Sequence, residues 1–164
     1  EVGARFKEVF DALRQEFTVA FPTMFGGGRA ELVLTDPSDL LKTGIEIEVQ
    51  PPGKKLQSLS LLSGGERALT AIALLFSIIR VCPVPFCILD EVEAALDEAN
   101  VKRFGRYLSD FQDDTQFIVV THRKGTMVAA DVLYGVTMQE SGVSKIVSVR
   151  MEDINEEGKM ETKV

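Results

Sequence analysis

A chain of 164 residues that is 45% hydrophobic carries enough apolar side chain for one core and falls within the size of a single domain. Its longest apolar stretch, residues 68–79 interrupted by Thr70 and Ser77, is too short to cross a bilayer, so the chain is expected in the cytosol with no membrane partner. A formal charge of −7 excludes a surface that attracts nucleic acid all over, and Cys82 and Cys87 lack the spacing and neighbouring histidines of a zinc site, so both are expected as buried, reduced thiols.

The first segment places Val2, Phe6, Val9, Leu13 and Phe17 at spacings of four and three, with Phe10 beside them. That is an amphipathic helix with a heptad-like seam. It is expected either as the end of a coiled coil over residues 1–20 that wants a partner helix, or as an ordinary core helix. After Pro22 the run Phe25-Gly26-Gly27-Gly28 breaks it. No Lys-Ser or Lys-Thr pair follows those glycines at the required distance, so a tight turn is expected there and not a phosphate loop. Two strands are predicted next, over residues 29–35 and 44–50. In the second, Ile45, Ile47 and Val49 face one way and Glu46 and Glu48 the other. The cluster Asp36-Pro37-Ser38-Asp39 between them is turn chemistry.

Pro51-Pro52-Gly53 ends that sheet and leads through Lys54-Lys55 to a helix from Gly65, apolar nearly all round, which Pro83 and Pro85 stop. Residues 86–89 form a short continuous apolar run, as in a central parallel strand. Asp97 is placed to cap a helix through Leu108, with Val101, Phe104 and Leu108 inward. A second buried strand over 116–121, a short helix over 124–130 and a hairpin of 132–138 with 144–150 turned by Ser141-Gly142 complete the domain, which spans 21–154. Residues 155–164, where charge outweighs apolar character, are expected as a flexible acidic tail.

Three groups of residues carry chemistry. Ser63 is placed to cap the apolar helix, and Gly64 and Gly65 leave its first backbone N–H groups open, so its positive end suits a phosphate; a plain cap with glycines for packing is the alternative. Asp90 ends the apolar strand, where a carboxylate at the carboxyl edge of a parallel sheet is placed to hold magnesium. Glu91 follows, suited to orient or deprotonate an attacking water. His122, the only histidine, follows the other strand, and parallel pairing would bring it to the edge that carries Asp90 and Glu91, where an imidazole can report a terminal phosphate. No Gly-x-x-x-x-Gly-Lys-Ser or Thr loop occurs in the sequence, so tight ATP binding needs a cradle from another segment.

Taken with Phe25 to Gly28, residues 44–47, Pro51 to Lys55, residues 62–70, Pro85 to Val92, Ala94 to Asp97, Thr121 to Lys124 and Tyr134 to Met138, these motifs resemble the ATPase head of bacterial structural maintenance of chromosomes (SMC) proteins, within the ATP-binding-cassette superfamily. The resemblance implies an α/β fold: the C-terminal lobe of an ABC-type P-loop NTPase head, with a parallel β-sheet core, flanking helices and the stub of a coiled coil. It implies that Ser63, Gly64, Gly65 and the D-loop acid Asp97 bind ATP held on an opposite head, that Asp90 is the Walker B ligand of Mg2+, and that Glu91 and His122 are the catalytic base and switch histidine. The implied partners are the N-terminal head lobe, a second head, the winged-helix domain of a kleisin near residues 132–150, and DNA through the assembled complex, at the nucleoid. Glu93 departs from the Asp of many relatives. A kleisin-docking platform without activity in isolation is the competing expectation, followed by another ABC-type ATPase of DNA repair or transport.

Overall fold

The computed structural model describes residues 2–111 and 115–151; the tail expected over 155–164 lies outside them. Helix α1 (Val2–Phe25) leads into β1 (Arg29–Leu34), β2 (Ile45–Gln50) and β3 (Gln57–Ser58), then a 3-10 turn (Leu59–Leu61) and α2 (Gly64–Val81). Strand β4 (Phe86–Asp90), α3 (Glu98–Ser109), β5 (Gln116–Val120), α4 (Lys124–Met127) and the hairpin of β6 (Val132–Glu140) and β7 (Val143–Arg150) follow.

Helix α1 is the inner wall. Phe10, Phe17, Ala20, Phe21, Met24 and Phe25 recur three and four residues apart, which puts them on one face, and all are buried against α2 and β1. Val2 and Val9 stay exposed, so within this chain the seam is covered only toward its carboxyl end. Pro22 lies inside the last turn, where it forfeits one helical hydrogen bond. The helix then stops in a Schellman arrangement: Gly26 takes φ 72° and the Gly27 N–H donates to the Pro22 carbonyl at 2.8 Å. Gly28 turns the chain into β1 so tightly that a β-carbon there would stand 2.3 Å from the Gln50 carbonyl oxygen. The glycine run is thus a turn, as expected.

Three small sheets surround the helices. Strands β1, β2 and β3 are antiparallel, β4 and β5 form one parallel pair, and β6 and β7 form an antiparallel hairpin. The expected parallel core is therefore corrected to a single parallel pair among the described residues. Nor are β4 and β5 buried on both faces. Cys87, Leu89, Phe117 and Val119 turn inward, whereas Phe86 (56% exposed), Ile88 (61%), Ile118 and Val120 line an open face. The apolar run that suggested double burial records side-chain type, not which layer is present to cover it. For the same reason the outer Ile78 of α2 is exposed, and Cys82, expected buried, lies at the surface where α2 ends. Strand β3 is two residues long, too short to leave a period in the sequence.

The core closes around Phe76 of α2, whose ring meets Phe104 and Tyr107 of α3, Phe111 and Phe117 at centroid distances of 5.1 to 6.0 Å. This cluster fixes α2 against α3 and β5, and so sets where the ends of those elements emerge.

Candidate functional site

Two element ends carry the residues expected to bear chemistry. At the first, Ser63 adopts an extended conformation before α2 and its hydroxyl oxygen accepts the Glu66 N–H at 3.3 Å. Glu66 completes a capping box: its Oε2 accepts the Ser63 N–H at 3.0 Å and the Ser63 hydroxyl at 2.8 Å. Lys54, noticed in the sequence only as part of the approach to the motif, places its ammonium 2.7 Å from the other Glu66 oxygen. The Lys54 contact, then the Ser63 bonds, hold the Glu66 carboxyl below the usual carboxylate range despite partial burial. Gly64 faces open space, so the first turn of α2 is bare where a side chain would otherwise stand. A β-carbon on Gly65 would meet the Ala95 carbonyl oxygen at 3.0 Å, so this glycine lets the segment after β4 approach the helix mouth.

At the second, parallel pairing matches Asp90 with Val120, and both strands end level. The chain then turns sharply. Glu91 takes φ 47°, the only positive φ outside glycine among the described residues, while its N–H donates to the Val120 carbonyl at 3.0 Å and its own carbonyl accepts the Ala94 N–H at 3.0 Å. A left-handed backbone costs a side-chain-bearing residue about 1 to 3 kcal/mol, and such strain gathers at functional positions. The turn points the Glu91 carboxylate at the His122 imidazole, with Oε1 3.4 Å from Nδ1. Both side chains are more than half exposed, so the pair matters for placement and adds little to stability.

Asp97 caps α3 through the Asn100 N–H at 2.8 Å and also accepts from the Asn100 side chain at 3.1 Å. The segment of Ala94 to Asp97 therefore joins the sheet edge to the helix mouth through Ala95. Sequence reasoning placed Asp90, Glu91 and His122 on one edge, where the strands bring them together, and gave Asp97 its capping role. It noted Glu93 only as a departure from the family's Asp and missed that it is buried and accepts hydrogen bonds from the hydroxyls of Thr121 and Thr126; the signal was an acid set in the apolar run Val92 to Leu96.

Among the described residues no group of three metal-ligating side chains gathers. Magnesium commonly takes one or two carboxylates and completes its shell with water and substrate phosphates. The exposed Asp90 at the strand end fits that partial role.

The described residues contain no helix long and apolar enough to cross a membrane. A family model described as the RecF/RecN/SMC N terminal domain matches residues 14–145. That description names an N-terminal domain, so the expected C-terminal half is corrected to a segment of an SMC head, defined by the motifs it carries and not by its place in a parent chain. The chain is 69% identical over 156 residues to the chromosome partition protein Smc of Bacillus subtilis, covering 95% of this chain and 13% of that protein. It is 66% identical to the Smc protein of Lactiplantibacillus plantarum, covering 96% of this chain and again 13% of the relative. It thus spans about an eighth of the length of these relatives. A solved structure from work on ATP-driven dimerization and DNA-stimulated activation of SMC ATPases superposes with a TM-score of 0.84 at 40% identity, over 92% of this chain and 91% of that one. An Smc head bound to the C-terminal winged-helix domain of ScpA superposes at 0.82 with 43% identity, over 87% of this chain and 44% of that one. With its motifs in place on an SMC head-type α/β fold, the chain belongs to the RecF/RecN/SMC family.

Proposed function

We propose that this chain is the part of an SMC ATPase head that carries the signature helix and the Walker B acids, and that it hydrolyses ATP once a lobe with a phosphate-cradling loop joins it. The carrying observation is the strained Glu91, aimed at His122 beside Asp90 on one sheet edge. In this reading Asp90 would hold Mg2+, which would supply positive charge against the phosphates, while Glu91 orients and deprotonates the attacking water and His122 contacts the terminal phosphate. Ser63, Gly64 and Gly65 receive the triphosphate carried by a second head, with Asp97 beside them, so that ATP joins the two. The Ser63 hydroxyl, which donates to Glu66 here, rotates toward the phosphate in that state.

The open face of β4 and β5 supports an incomplete head. Phe86, Ile88, Ile118 and Val120 form an apolar layer that ends at Asp90, where a complementary lobe would both cover it and bring the P-loop to the acids. The isolated chain is accordingly inactive. Head engagement then serves chromosome condensation and segregation by an assembly in the cytoplasm at the nucleoid, with DNA contacted through the whole complex. The experiment is the turnover of the completed head: Glu91→Gln retains ATP and slows hydrolysis about a hundredfold or more, the upper range for loss of a general base. Unchanged turnover rejects Glu91 as the base.

The hairpin supports a second role as a docking platform. The register sets Tyr134 (70% exposed), Val136 (71%), Met138 and Ile146 on one face as an uncovered apolar stripe, suited to a kleisin winged-helix domain such as the one bound to the related head. Docking there needs no nucleotide, so pull-down of a kleisin fragment by this chain without ATP separates the two roles.

A further inference from the structure

Glu93 has no part in the phosphate chemistry above, yet among the described residues it is the one Asp, Glu, Lys, Arg or His that the fold buries, at 1% exposure. An interior carboxyl group is costly unless partners serve it. Only one of its oxygens is served. Oε1 accepts the hydroxyls of Thr121 and of Thr126, the latter at 3.0 Å, whereas buried Oε2 has no hydrogen-bond partner among the described residues. The group is thus kept for its grip on two hydroxyls rather than for a stabilising ion pair.

What it grips decides its use. Glu93 lies two residues after Glu91 in a turn closed by Ala94 N–H on the Glu91 carbonyl, and Thr121 lies one residue before His122. On the far side of His122 the Arg123 N–H donates to the Thr121 hydroxyl oxygen at 3.0 Å, so that one hydroxyl fixes the backbone on both sides of the imidazole. Thr126 adds α4 to the clamp. The Glu91 and His122 side chains are 56% and 67% exposed, and an exposed pair does not hold its own geometry in water. The buried clamp behind it does.

We propose that Glu93 is a positioning residue, whose bond to Thr121 sets the Glu91 carboxylate and the His122 imidazole at their working separation. This rests on the ATPase reading for its kinetic consequence and on the fold alone for its geometry. His122 is the only histidine, so its ring resonances in the 164-residue chain report the geometry directly. Glu93→Leu and Thr121→Val each shift those resonances while the amide spectrum of α2 stays native. In the completed head both lower kcat about ten- to a hundredfold at unchanged KM, the scale of a small misplacement. Glu93→Gln keeps an Oε1 that accepts both hydroxyls and restores the ring resonances and most of the rate, though its amide N–H groups lower Tm. Native ring resonances in both Glu93→Leu and Thr121→Val overturn the proposal; should Glu93→Leu unfold, Thr121→Val alone decides. A wild-type completed head that hydrolyses no ATP defeats the ATPase reading and leaves the ring resonances to judge the clamp.

Discussion

Glu91 sets two demands against each other at one position. Its φ of 47° suits glycine, but a glycine would bring no carboxylate to the sheet edge, and the neighbouring hydrogen bonds to Val120 and Ala94 hold the unfavourable backbone in place. Glu66 shows the reverse economy, one carboxylate satisfying a helix end, a hydroxyl and a lysine. Because its carboxyl is held below the usual range in the folded chain, its contribution is complete above that range and is lost as pH falls through the lowered value. Urea titrations of wild type and Glu66→Gln are therefore expected to differ at neutral pH, and the difference is expected to shrink in acid. A gap independent of pH would deny the charge a role in the cap.

Among elements, α2 carries the greatest load. Its mouth carries Ser63, Gly64 and Gly65 and its middle holds Phe76, so the core and the proposed site share a helix. Phe76→Ala is expected to destabilise the chain by about 3 to 5 kcal/mol, read from denaturant midpoints, because four aromatic neighbours cannot collapse into the space. The same helix shows what was legible in the sequence. Its cap, its length and the level ends of β4 and β5 follow from local chemistry, namely Ser63, Pro83 with Pro85, and the two apolar runs, whereas the part of Glu66 in the cap went unread. The openness of β4 and β5 does not follow, since Phe86 and Ile88 have the same composition whether covered or bare. The Glu93 clamp was hidden for a related reason: its two threonines lie 28 and 33 residues away and meet it only in the fold.

At the scale of the molecule, the chain presents an apolar sheet face ending at its acids, an apolar stripe on its hairpin and a bare helix mouth, three surfaces that suit three different neighbours. A net charge of −7 makes bulk DNA a poor direct neighbour for most of this surface. The bare mouth bears the central claim, that this helix end meets a triphosphate seated on another head. Sedimentation of the completed head in the Glu91→Gln background, where ATP persists, measures it most directly. With ATP that head is expected as a dimer, and adding Ser63→Arg, which places bulk and positive charge at the mouth, is expected to return it to the monomer while each head still binds nucleotide. A dimer that persists with Arg at position 63 contradicts the account.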